Sequence, residues 1–216
     1  MDRQGILIIV SGFSGAGKGT LMKELMRKYP ENTRYEQYAL SISATTRDPR
    51  PGEEDGVAYF FKTKEQFEQM IAEGALIEHA CYVNNYYGTP RAYVEAELAK
   101  GHDVILEIEI QGARKIKEQY PDAVLLFVST KDAKTLKERL EGRRTESPEV
   151  IAQRLARAVQ ESEGMEEYDY LVINDVLEKC VEQVHGIIEG EHRKMEHNKE
   201  RIEKIRQDLK GFAKGE

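Results

Sequence analysis

The segment Gly12-Phe13-Ser14-Gly15-Ala16-Gly17-Lys18-Gly19-Thr20 follows directly on five apolar residues, Ile6 to Val10. A short β-branched run, a glycine-rich loop and then a helical pattern make the GxxxxGK core of a P-loop in its required strand–loop–helix setting. Glycine tolerates positive φ and close approach, so successive backbone N–H groups can converge on one anion. The helix that follows adds its positive N-terminal end. Lys18 supplies a full charge toward the outer phosphates of a triphosphate. The motif usually places Ser or Thr directly after the lysine to help hold Mg²⁺. Here that place is Gly19 and the hydroxyl comes at Thr20. Either Thr20 serves, or the ion is held mostly by phosphate oxygens and water.

Three further apolar runs, Val104 to Ile110, Ala123 to Val128 and Leu171 to Ile173, have the same character. None alternates cleanly along its length, the pattern of strands covered on both faces. Helical patterns lie between them, at 19–29, 93–100, 112–119, 133–140 and 148–163. The alternation predicts an α/β domain with a parallel sheet. The stretch 40–88 differs. It has a Pro49-Arg50-Pro51-Gly52 turn, the aromatics Tyr59-Phe60-Phe61 and a short helix at 65–72. This predicts a small mixed lobe. A charged helix is expected over 189–210, with His192 and His197 as solvated members of it.

The 39 acidic and 32 basic residues give a net charge of −7, which argues against general nucleic-acid binding but not against small anions. Cys81 and Cys180 are distant and form no CxxC pair, so neither a disulfide framework nor a zinc site is expected. The apolar N-terminal run is too short for a membrane span or a signal core. A cytoplasmic protein is expected, with no membrane partner.

A second constellation begins at Ser41-Ile42-Ser43-Ala44-Thr45-Thr46-Arg47-Asp48-Pro49-Arg50-Pro51-Gly52-Glu53. It continues through Tyr59, the Ile77-Glu78 doublet, Tyr86-Tyr87-Gly88-Thr89 and Leu106-Glu107-Ile108-Glu109-Ile110-Gln111-Gly112. Arginine forks three residues apart beside hydroxyls suit phosphate binding. Together with the P-loop, this set resembles the guanylate kinase family over about residues 6–188. The resemblance implies that Ser43, Arg47, Arg50, Tyr59 and Tyr87 hold the phosphate of GMP. It implies that Glu78 and Thr89 read the guanine, with a further acidic contact at Glu109. Glu109 stands where the family often has aspartate, and Thr89 where it often has serine. Glu107, two residues before Glu109, is expected on the same strand face, with a role in the GMP site or near the metal.

The resemblance also implies a helical lid. Arg143 and Arg154 match arginines that reach the transferring phosphoryl group, and Arg139 lies one turn before Arg143. Arg144 replaces a usual glycine, and Arg157 reads as a helix-surface charge in an ion pair. Asn174 resembles an adenine-side contact. The expected organisation is a P-loop NTPase-type core (1–40, 98–130 and 164–190), a GMP-binding lobe (41–97), a lid (131–163) and a charged helical tail (191–216). The implied reaction is reversible transfer of the ATP γ-phosphoryl group to GMP with Mg²⁺. Lys18, Arg47, Arg143 and Arg154 are the expected catalytic group. The P-loop residues Gly12 to Thr20, with Arg139 and Asn174, form the ATP site, and Thr20 is the expected metal contact. Two alternatives stand beside it. One is another nucleoside monophosphate kinase, since adenylate kinases share Gly19-Thr20. The other is a non-catalytic guanylate-kinase-like interaction module.

Overall fold

A computed structural model describes residues 5–29, 38–82, 84–142 and 147–214. Five strands form one wholly parallel sheet: β1 (Leu7–Gly12), β2 (Tyr38–Leu40), β7 (Asp103–Glu107), β8 (Val124–Ser129) and β9 (Tyr170–Ile173). Their order is β2-β7-β1-β8-β9. β1 is central, pairing with β7 on one side and β8 on the other. Chain progression reverses around β1, so its carboxyl end opens into the crevice where doubly wound sheets bind ligands.

The uninterrupted apolar runs now have their reason, because both faces of the sheet are covered. Ile8 and Val10 of β1 join one core cluster with Leu21, Leu25, Leu126, Val128 and Val184. Leu7 and Ile9 point the other way, into a second cluster with Val94, Leu106, Ala113 and Ile116. The first side is covered by α1 (Lys18–Lys28) and α7 (Leu177–Glu191), the second by α3 (Arg91–Ala99) and α4 (Ile110–Gln119).

A second sheet carries β3 (Ala44–Thr45), β4 (Phe60–Phe61), β5 (Leu76–Tyr82) and β6 (Asn85–Pro90), in the order β4-β3-β6-β5. It is mixed: β3 runs parallel to β4 and antiparallel to β6. Helix α2 (Lys64–Ala72) covers it. α2 starts in a capping box, Thr63-Lys64-Glu65-Gln66. Phe67 from α2 is fully buried against Ala44 and Leu76 and stacks on Tyr86 at 5.3 Å. Helices α5 (Ala133–Gly142) and α6 (Pro148–Ser162) follow β8. Ser147 at the N-cap and Pro148 at the first helical position start α6.

Three expectations need correction. The strand expected to reach Ile110 stops at Glu107, and Glu109, with φ −79° and ψ 159°, is the N-cap of α4. Glu107 and Glu109 therefore do not share a strand face. α7 is not among the helical segments expected from periodicity. The single helix expected over 189–210 is two pieces. α7 ends at Glu191, a short 3₁₀ turn spans Met195–Asn198, and α8 runs Lys199–Lys214. Asn198 Nδ2 donates to the carbonyls of His192 (2.8 Å) and Lys194 (2.7 Å), closing the end of α7. Nor are the two histidines solvated. His192 Nε2 lies 2.9 Å from both carboxylate oxygens of buried Asp103, and His197 Nε2 lies 3.5 Å from Glu191. Asp103 also accepts from the Ile6 amide at 2.9 Å, so the end of α7 is tied to the sheet by hydrogen bonding as well as by packing. Among the described residues no helix is long and apolar enough to cross a membrane.

Candidate active site

The loop after β1 turns on three glycines with positive φ: Gly12 at 146°, Gly15 at 96° and Gly17 at 87°. At Gly12 a Cβ would lie 2.0 Å from the Val128 carbonyl oxygen, so β8 leaves room only for hydrogen. Gly17 is the N-cap of α1. Lys18 Nζ donates to the carbonyls of Gly12 (2.7 Å) and Phe13 (3.4 Å), which holds the ammonium over the loop. Buried Asn174, just past β9, donates to the Ala16 carbonyl at 2.9 Å. Arg139 from α5 donates to that same carbonyl (3.2 Å) and to the Asn174 carbonyl (2.7 Å). Arg154 from α6 donates to Ser14 Oγ. The structure thus brings Arg139, Arg154 and Asn174 together on the loop. Arg143 and Arg144 lie outside the described residues.

A cleft of about 330 Å³ opens between the two sheets. Its walls include Ser43, Tyr59, Thr89 and Glu107, together with Ser41, which sequence reasoning did not single out. The Ser41 hydroxyl is buried without a hydrogen-bond partner, the one sign that it faces something else. Arg47 makes a pair with Glu53, Nη2 lying 2.9 and 2.8 Å from its two carboxylate oxygens. Its guanidinium lies 5.3 Å from the Tyr59 ring centre, and Tyr59 packs edge-on to Tyr87 at 6.2 Å. Glu53 is a second residue with no role in the sequence reading. Its spacing of six from Arg47, across the Pro-Gly turn, was the available signal. The Arg50 amide, which donates to Glu53 at 2.8 Å, holds that carboxyl below the usual range, with help from Arg47. The Arg50 side chain itself is exposed.

Glu78, on β5, sits deeper. Thr89 Oγ1 donates to its Oε1 at 2.9 Å. Burial pushes the Glu78 carboxyl up. The Thr89 hydroxyl and the Lys115 charge pull it down, and the Glu109 charge pushes it up again. Glu107 ends β7 on the cleft floor. It is open to solvent, yet the surrounding protein raises its carboxyl above the usual range, against the pull of Lys18. A Cβ on Gly19 would lie 3.8 Å from Glu107 Oε2, so the missing P-loop hydroxyl faces this carboxylate. The exposed Thr20 hydroxyl and the Glu107 carboxylate are hard oxygen donors of the kind Mg²⁺ takes. Among the described residues no group of three or more acidic, His or Cys side chains could hold an ion.

A parallel sheet with a lysine-bearing phosphate loop, arginines from two neighbouring helices and a second, hydroxyl- and carboxylate-lined cleft defines a P-loop phosphotransferase with two substrate sites. The sequence matches the guanylate kinase family model over residues 4–191. It is 52% identical to a guanylate kinase of Oceanobacillus iheyensis over 96% of this chain and 98% of that one. It is 47% identical to one of Listeria innocua over 97% of this chain and 100% of that one. The crystal structure of guanylate kinase from Anaplasma phagocytophilum superposes with a TM-score of 0.68 at 28% identity, covering 90% of each chain. The chain belongs to the guanylate kinase family.

Proposed function

We propose that this chain transfers the γ-phosphoryl group of ATP to GMP, giving ADP and GDP, within purine nucleotide metabolism in the cytoplasm. The observation that carries the choice of acceptor is Glu78, a carboxylate held by Thr89 beside a cleft walled by Ser43, Tyr59 and Thr89. Guanine presents two adjacent donors, N1–H and N2–H₂, and an ionised carboxylate accepts both. Adenine would present a lone pair instead. This supports GMP over the AMP suggested by Gly19-Thr20. The intact loop and its arginines support catalysis over a purely binding module.

We assign the roles as follows. The lobe 41–97 is the acceptor site, in which Arg47, Arg50, Tyr59, Tyr87 and Ser43 hold the GMP phosphate. Glu78 and Thr89 read the base, with Glu109 beside them. The core (1–40, 98–130, 164–190) holds ATP through Gly12 to Thr20 and Asn174, and the region 131–163 is the lid. The charged segment 191–216 is assigned no part in either site. Lys18, Arg139 and Arg154 converge on the loop, where they neutralise and orient the phosphates, with Arg143 of the same segment in the same role. Phosphoryl transfer is mostly positioning and electrostatics, so no covalent intermediate with the protein is required. Thr20 and Glu107 are the residues that would hold Mg²⁺, which would supply charge neutralisation on the donor phosphates.

A coupled assay with GMP, AMP, CMP and UMP tests this. Preference for GMP by about 10⁴-fold in kcat/KM over AMP is expected of a base site built on a hydrogen-bonding carboxylate. Equal use of GMP and AMP would refute it.

A further inference from the structure

Helix α6 carries two arginines that bear on different halves of the molecule. Arg154 donates to Ser14 Oγ in the phosphate loop. Arg157, three residues on and so on the same side of the helix, donates through Nη2 to Glu109 Oε2 at 2.7 Å. Its Nε donates to Glu161 Oε1 at 3.0 Å, the helix-surface pair that spacing predicted. The bond to Glu109 was not legible, because the two residues are 48 positions apart.

Glu109 caps α4, whose first turn abuts Glu78: a Cβ on Gly112 would lie 3.2 Å from Glu78 Oε2, and the Glu109 charge pushes the Glu78 carboxyl up. A guanine needs Glu78 ionised. Arg157 places a permanent positive charge against Glu109 and so offsets the repulsion between the two acids. The side chains are 44% and 62% exposed, so the pair contributes little to folding. Its consequence is positional. α6 is one rigid helix of 15 residues, and its seat on the donor loop and its seat on Glu109 move together.

We propose that Arg157 is a positioning residue that couples the lid helix to the guanine pocket, so that nucleotide at the phosphate loop raises the affinity for GMP, and GMP raises the affinity for that nucleotide. The proposal rests on the guanylate kinase reading of the cleft. Donor phosphates give Arg154 an anionic partner and anchor α6 over the loop. An anchored α6 keeps Arg157 on Glu109, and an ordered, charge-balanced Glu109 leaves Glu78 free to accept from the base. Linkage requires the effect to be reciprocal.

The test is calorimetric titration of the full chain with GMP, with and without a saturating non-hydrolysable β,γ-methylene analogue of ATP and Mg²⁺. In wild type the analogue lowers the Kd for GMP. In Arg157→Ala that enhancement shrinks by about threefold to fivefold, as fits loss of an exposed pair. The analogue alone binds as in wild type, and Arg157→Lys regains part of the enhancement. In steady state, KM for GMP rises more than kcat falls. An enhancement in Arg157→Ala equal to that of wild type overturns the proposal. So does a loss of GMP affinity that is the same with and without the analogue. A wild type that binds the analogue but not GMP overturns the functional reading itself, and this proposal with it.

Discussion

The Thr89 hydroxyl donates to Glu78 Oε1 at 2.9 Å, across two antiparallel neighbours, β6 and β5. That one bond works against the burial that raises the Glu78 carboxyl. It keeps an acceptor-only group available where a purine with two donors must be read. GMP use should therefore fall as pH drops through the raised Glu78 pKa. Thr89→Val removes the donor, so the fall should move to higher pH, whereas Thr89→Ser should leave it in place. The check is kcat/KM for GMP against pH in all three proteins, with identical profiles counting against the role given to Thr89.

Glu78→Gln should separate stability from recognition. Burial raises the Glu78 pKa in the fold, so the native state holds that proton more tightly than the unfolded chain does. The group therefore favours folding below the ordinary carboxylate range and disfavours it as pH rises through the raised value. The neutral amide should unfold at a higher temperature than wild type at pH 7.5, with the gain vanishing below pH 4. The GMP-over-AMP preference should meanwhile fall by about 10²-fold or more, mainly through weaker use of GMP. Thermal melts at the two pH values and kcat/KM for both nucleotides measure this.

Lys18→Ala removes the charge held over the loop by Gly12 and Phe13. It should fold as wild type does and lose about 10²-fold or more in kcat. A stable variant with near-normal turnover would contradict the role.

Two glycines should respond in opposite directions. At Gly17, φ is +87° and a Cβ would lie 2.7 Å from Asn174 Nδ2, so Gly17→Ala strains the loop and pushes on the side chain that clamps it. A cost of about 1–3 kcal/mol is expected. Gly186, inside α7, has nothing within 4 Å of its added Cβ. Gly186→Ala should stabilise by about 0.5–1 kcal/mol through helix propensity, a rise in Tm of about 1–4 °C. Denaturant unfolding of both variants, read beside wild type, tests the pair.

Phe67→Ala empties the centre of the small second sheet, where that ring is fully buried against Ala44 and Leu76. A loss of about 3–5 kcal/mol is expected for such a truncation. Hydrogen exchange should show it in β3, β5 and β6 before the parallel sheet opens.

Much of this molecule was legible in order along the chain. The strand–loop–helix around Lys18, the parallel core and the short helix at 65–72 are all local patterns. They depend on the period of apolar residues and on glycine at positive φ. The break at His192 was not legible, because it depends on Asp103 from another strand and on Asn198 closing the end of α7. The exchange of Glu109 from strand to helix cap was equally hidden. An apolar-acidic alternation reads as strand until the tertiary fold sets where the sheet edge ends. What the sequence by itself determined was the identity of each chemical group and the local backbone that can carry it. What only the tertiary structure decided was pairing over long separations: Arg47 turned toward Glu53 and Tyr59, Arg154 onto Ser14, Arg157 onto Glu109, and Ser41 left unpartnered in the cleft. The arginine contacts of α6 join segments 48 and 140 residues apart, where no periodicity reaches, and the Arg47 contacts cross a turn whose course the local pattern leaves open.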